Sequence, residues 1–279
     1  MNRKIKIVSD SSCDLLELEG VDFEVAPLKI ITSQKEYIDT PDLDTHIMAT
    51  ELQNYKGKSS TSCPNADDWL KAFGDADDII CITITSNLSG SYNTACVAKH
   101  IYEGNNESRR VFVLDSLSTG AEMGLIIERA EKLILEGKSF EEVCNDIGNY
   151  RKTTGLLFVL ESMKNLANNG RVSHVTAKMA GLLGIRVLGK ASEDGKLEIL
   201  DKCRGEGKTF ETIIARLRQY GLKEGRVKIG HCCCENVGQR LKELISREFE
   251  KAKVELYRCR GLCTFYAENG GLLVGFEQA

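Results

Sequence analysis

Residues 79–95 leave this chain few ways to fold. Ile79 to Thr85 is a β-branched, apolar run of strand length. Ser86, Ser89, Gly90 and Ser91 follow in a tight loop, and Tyr92 to Ala95 opens a helix running toward His100. A strand, a hydroxyl-rich loop and a helix start, in that order, make a site for a negatively charged group. Unpaired backbone N–H groups point out of the helix start, and its dipole favours anions. Gly90 lets the backbone come close, and the serine hydroxyls add donors. An ordinary serine N-cap would leave the same trace, but the junction recurs. The strand Lys4–Ser9 runs into Asp10, Ser11, Ser12, Cys13 and Asp14, and the strand Arg110–Leu114 into Asp115, Ser116, Leu117, Ser118 and Thr119. Strands alternating with helices imply a mainly parallel sheet. In such a sheet ligands bind beyond the carboxyl ends of the strands. Three hydroxyl loops gathered at one edge favour a binding site over three unrelated caps.

The remaining pattern fills in an α/β chain of two domains. Phe23–Ile31 reads as one strand and Thr45–Asn54 as a short helix. Residues 57–62 read as a flexible polar loop, and Asn65 as the cap of a helix through Trp69 and Phe73. Ala121–Glu136 has helical apolar spacing, and Ser139 with Glu142 forms a capping box for a helix reaching Arg151. A second unit begins near Thr154 with the apolar strand Gly155–Leu160. A short helix is expected at Ser162–Ala167, and another capped by Ser173 and running through Met179 to Leu183. Strands Ile185–Leu188 and Lys196–Leu200 flank a turn at Glu193–Gly195. Helix Thr209–Tyr220, strand Val227–Cys233, helix Glu235–Phe249, strand Val254–Tyr257 and strand Leu272–Phe276 complete the reading. The expected domains are residues 1–153, with a mainly parallel, Rossmann-like sheet, and 154–279, with a mixed sheet and helices.

Composition narrows the function classes. A formal charge of -4 argues against nucleic acid as a partner. No apolar run reaches transmembrane length, so no stable membrane anchor is expected. Met1–Asp10 enters a strand directly, and the eleven cysteines are an odd number in a large chain. The expectation is a cytoplasmic protein with reduced thiols and no signal peptide. Gly205, Gly207, Lys208 and Thr209 resemble the end of a phosphate loop, but Lys202 stands where that loop needs glycine. His231 to Cys234, with Cys259 and Cys263, suggest a metal site. Consecutive strand residues face opposite ways, however, so the thiols read as core filler and no metal or cofactor is expected. No Gly-x-Ser-x-Gly elbow occurs, and none of the four histidines lies in the hydroxyl loops.

Taken together the pieces resemble the DegV family, the bacterial fatty-acid-binding proteins. The resemblance rests on Asp10–Asp14, on Thr61, Ser62, Cys63 and Pro64, and on Leu88, Ser89, Gly90, Ser91 and Tyr92. Asp115–Ser118, Asn169–Ser173 and Arg204 also fit, so it spans nearly the whole chain. Membership implies two α/β domains with a long-chain fatty acid buried between them. The acyl carboxylate would be held by the hydroxyls of Thr61 and Ser89, and a partner kinase would make acyl-phosphate from ATP. The subunit itself would then be no enzyme. Ser62 and Gly90 are expected at the head group and Ser11 and Ser118 near it. Arg171 is expected as site support and Arg204 as a partner contact. The energetics agree: at roughly 0.8 kcal/mol per buried CH₂, ~14 methylenes supply about 11 kcal/mol before ordering costs. Two positions depart from the family pattern. Cys63 stands where glutamine is usual, and counting back from the last strand puts Tyr266 in place of the usual histidine. A phenol is a neutral donor, so a different acyl lipid also fits. The alternative reading is a small-molecule enzyme, a hydrolase or acyl transferase using Ser89, Cys63 or Tyr266.

Overall fold

The computed structural model describes residues 3–178 and 184–278. Its first sheet is built of β1 (Ile5–Asp10), β2 (Phe23–Ala26), β6 (Asp78–Thr83) and β7 (Arg110–Asp115). All its pairings are parallel, in the order β2-β1-β6-β7. Alternate residues of each strand face opposite sides, and here both sides are covered. Val8, Ile79 and Cys81 pack under α2 (Ala66–Phe73) and α3 (Ser91–Gly104). Ile7, Ile80 and Ile82 pack under α4 (Gly120–Leu135) and α5 (Phe140–Tyr150). The strand order reverses between β1 and β6, where an open α/β sheet offers a crevice.

The second sheet is mixed, in the order β10-β9-β8-β13-β11-β12. It comprises β8 (Thr154–Leu160), β9 (Ile185–Ala191), β10 (Leu197–Arg204), β11 (Glu224–His231), β12 (Lys251–Arg258) and β13 (Leu272–Glu277). One face is closed by α8 (Glu206–Gln219) and α9 (Glu235–Glu248) over a core that includes Leu157, Val159 and Val274. The other face carries Leu156, Phe158, Leu160 and Leu273 and looks toward α4. Helix α4 therefore packs on both sheets. Its approach to β13 needs glycine at two points. A Cβ at Gly275 would lie 2.5 Å from the Ala121 and Glu122 backbone, and Gly120 has φ +51° with Leu273 at 2.7 Å from its missing Cβ. Ion pairs join the same surfaces, with Glu128 on α4 meeting Arg226 and the buried Lys228 on β11.

Three expectations change. The single strand Phe23–Ile31 is two, because Pro27 has no N–H to continue a ladder. Beyond it β3 (Lys29–Ile31) joins a separate antiparallel sheet with β4 (Glu36–Ile38) and β5 (Ser60–Ser62). The supposed flexible loop at 57–62 thus ends as an edge strand, with Thr61 opposite Ile30. Asp78, just before the expected strand start at Ile79, begins β6 and is buried between Arg3 and Arg110. The largest departure is α10 (Gly261–Ala267), where no helix was expected. The segment is buried on nearly all sides, so it shows no amphipathic stripe. Its cap is Asp39, whose carboxylate accepts from Gly261 N at 2.8 Å and Leu262 N at 2.9 Å. The caps at Asn65, Ser139 and Ser173 form as expected. Helices α1 (Thr45–Asn54), α6 (Lys164–Asn168) and α7 (His174–Ala177), with 3₁₀ turns at Ser11–Cys13 and Arg151–Thr153, complete the described elements. The expected extension of α7 through Met179 to Leu183 lies outside the described residues.

Candidate functional site

A cavity of about 80 Å³ opens between the two sheets. Leu156, Phe158 and Leu160 form its floor on β8, Leu273 lies beside them on β13, and Leu28 and Ile84 close it from the first sheet's side. Among the described residues its polar wall consists of few groups: Thr61, Ser89, Thr119, Arg171, Cys263 and Tyr266. Four segments of the chain each bring one of these to a common corner. Thr61 on β5 and Tyr266 on α10 share a hydrogen bond of 2.6 Å. The Arg171 guanidinium lies 5.7 Å from the Tyr266 ring centroid and donates to the Leu88 carbonyl at 3.1 Å. Ser89 follows Leu88 in the wall. Burial pushes the Tyr266 phenol up, while Thr61 and Arg171 pull against it. At neutral pH Tyr266 is therefore an uncharged donor beside one cation. Such a corner suits a carboxylate at the end of an apolar slot.

The remaining expected site residues have other partners. The Ser11 hydroxyl accepts from Leu28 N at 3.0 Å and so holds a wall residue in place. Ser62 donates to the Cys63 carbonyl at 3.1 Å. Gly90 is the N-cap residue of α3, and its missing Cβ would meet Cys63 Sγ at 3.3 Å. Cys63 packs beside Leu28, Ile84 and Leu262. The Ser118 carbonyl accepts from Thr85 N at 2.9 Å, and its neighbour Thr119 lines the cavity instead. Arg204 is exposed at the end of β10. Among the described residues no cluster of metal-ligating side chains occurs, and the Cys263 thiol is held well above its ordinary value by burial.

The three hydroxyl loops do gather at one edge: a buried carboxylate ties the first two, and the third is joined to the second by Thr85 N donating to the Ser118 carbonyl at 2.9 Å and Ser86 N to the Asp115 carboxylate at 3.2 Å. Asp10 accepts from Ser12 N at 3.2 Å, Ile84 N at 2.9 Å and Ser91 Oγ at 2.7 Å, and also from the Ser12 hydroxyl. Burial pushes this carboxyl up against the pull of those donors. Ser91 thus does not cap α3; it sits inside the helix with its hydroxyl turned to Asp10. Asp39 does similar work at α10. Sequence signals for Asp10 existed in its Asp-Ser-Ser context, whereas nothing local marked Asp39 or the wall residues Leu28, Leu197 and Leu262.

Comparison with known proteins places this architecture. Residues 4–278 match the family described as "Uncharacterised protein, DegV family". A DegV domain-containing protein of Streptococcus gordonii is 39% identical over 276 residues, covering 98% of each chain. Among solved structures, a DegV family protein from Eubacterium eligens loaded with heptadecanoic acid superposes with a TM-score of 0.97. It is 41% identical, over 99% of this chain and 100% of its own. The Fatty Acid Kinase (Fak) B3 protein of Streptococcus pneumoniae, loaded with linoleic acid, gives a TM-score of 0.96 at 40% identity, over 99% and 100%. No helix of the described residues is long and apolar enough to cross a membrane. With its two α/β halves and the apolar cavity between them, the chain belongs to the DegV family.

Proposed function

We propose that this protein binds a long-chain fatty acid, or a closely related acyl lipid, in the cavity between its sheets and offers the carboxylate to a partner kinase. The observation that carries the reading is one apolar slot with Thr61, Tyr266, Ser89 and Arg171 converging on it. The fatty acids named in the Eubacterium eligens and Streptococcus pneumoniae structures support it. The acyl chain lies over Phe158 and its neighbours on β8, and the Thr61 and Tyr266 hydroxyls, the Ser89 hydroxyl and Arg171 replace the water lost by the carboxylate. Ser11, Ser62, Gly90 and Ser118 act on the site through the loops they fix. Arg204, exposed beside the β9–β10 hairpin, is a contact for the kinase. The domain boundary is kept at residues 153 and 154, where α5 passes into β8.

The protein acts as a cytoplasmic carrier and not as an enzyme. In support, the cavity wall has no histidine among the described residues, and Ser89 Oγ accepts from Ser91 N at 3.3 Å. Native mass spectrometry of the purified protein tests the reading. A non-covalent acyl ligand that leaves unmodified is expected; a covalent adduct on Ser89, Cys63 or Tyr266, or no acyl ligand at all, overturns it. Ser89→Ala should loosen retention by about 1–3 kcal/mol, the cost of leaving a charged group short of one hydrogen bond.

A further inference from the structure

The head-group corner lies toward one end of strand β8; toward the other end, Leu156 lines this cavity and a second space as well. Strand β8 presents Thr154, Leu156, Phe158 and Leu160 on one face, since alternate strand residues point the same way. At roughly 3.3 Å per residue, Thr154 and Leu160 stand about 20 Å apart along the strand. The Leu160 end leads into α6, where Leu166 and then Arg171 follow, and α6 is fastened to α10 by Asn165 Nδ2 donating to the Phe265 carbonyl at 2.8 Å. That is the end where Tyr266 and Arg171 meet. The Thr154 end leads to α4, where the Thr154 hydroxyl donates to Glu122 at 2.8 Å. Glu122 belongs to a second, polar cleft, with Arg151, Lys152, Lys190 and Glu193 around it. Leu156 lines both spaces and is itself buried.

We infer that Leu156 is the plug that sets the length of acyl chain this protein accepts, by separating the apolar slot from the polar cleft behind it. The inference rests on the fatty-acid reading above. Each methylene that fits in front of Leu156 leaves water for an apolar wall and contributes about 0.8 kcal/mol. A methylene pushed past it would enter the cleft that holds Glu122 and Arg151 and would displace the water of those charged groups. Affinity therefore rises with chain length until the terminal methyl reaches Leu156 and falls beyond that point. Neighbouring wall residues do not have this position. Leu88 lies at the head-group corner, its carbonyl bonded by Arg171.

The test is competition. Wild-type protein, Leu156→Ala, Leu156→Val, Leu156→Phe and Leu88→Ala are each stripped of lipid and offered an equimolar mixture of straight-chain saturated acids from lauric to behenic. The captured acids are then quantified by mass spectrometry. For Leu156→Ala the preferred length should move up by about two to three carbons, matching the side-chain atoms removed. It should move up by about one carbon for Leu156→Val and down for Leu156→Phe. Leu88→Ala should lower capture of all lengths without moving the preferred one. If Leu156→Ala does not fold, the Val and Phe variants still give shifts of opposite sign. An unmoved preference in folded Leu156 variants overturns the inference and leaves the fatty-acid reading standing. If the wild-type protein captures no acid, that reading fails first.

Discussion

Two polar regions of this molecule use the same residue types to different ends. Around Asp10 and Asp39, buried carboxylates take up neighbouring donors: Ser12, Ser91 and Ile84 N at the first, Gly261 N and Leu262 N at the second. At the cavity corner, Thr61 and Tyr266 bond to each other, and Arg171 to main-chain carbonyls. Their remaining capacity faces the slot. Hydroxyl-rich sequence thus divides into scaffold, whose groups are used up internally, and mouth, whose groups keep valence for a ligand. The energetic consequence is general. A buried partner that is removed leaves an unsatisfied group and costs stability, while a cavity-facing donor that is removed costs mainly affinity.

Substitutions can break or sharpen that contrast. Asp39→Ala should have the largest effect. It removes the cap of α10 and leaves Arg260, 3.7 Å from Asp39 and buried, without its carboxylate. A loss of about 3–5 kcal/mol in urea unfolding is expected, and a loss under about 1 kcal/mol would mean α10 is held by packing alone. Asp10→Ala follows, at about 3 kcal/mol, because two backbone N–H groups and two hydroxyls lose their acceptor. Its ligand retention should fall no further than its stability explains.

Thr61→Val tests the mouth. Unfolding should shift by less than about 1 kcal/mol, while fatty-acid retention weakens by about 1–3 kcal/mol in a displacement assay. Equal losses in both measurements would erase the distinction between scaffold and mouth.

The last test concerns pH. Burial pushes the carboxyls of Asp14 and Glu122 each up to about 7, from ordinary values of 3.8 and 4.5. Between those ordinary values and about 7 the folded protein binds protons that the unfolded chain has released. Stability contributed by these groups is therefore present at the acid side of that window and lost as pH rises through about 7. Glu122→Gln keeps an acceptor for Thr154 without a charge. It should flatten the dependence of the urea midpoint on pH across this window, and an unchanged slope would show that Glu122 ionises freely in the fold.

What the chain determined by itself is what short-range physics can write. β-Branched runs, helical spacing and the Asn65, Ser139 and Ser173 caps specify strand–loop–helix units, and their alternation specifies a parallel sheet with hydroxyl loops at one edge. The family's motifs added the two halves and pointed to Thr61, Ser89 and Arg171 for the site, and counting back from the last strand added Tyr266 where the family usually has histidine. Only the tertiary structure decided which hydroxyls face the slot, that Pro27 hands the chain from one sheet to another, and that residues 261–267 are helical. The reason is separation along the chain. Thr61 meets Tyr266 across 205 positions, and Asp39 caps Gly261 across 222. A local window contains neither partner, so hydrogen bonds of this reach, and the walls of a cavity made by two sheets, exist only once the whole chain has packed.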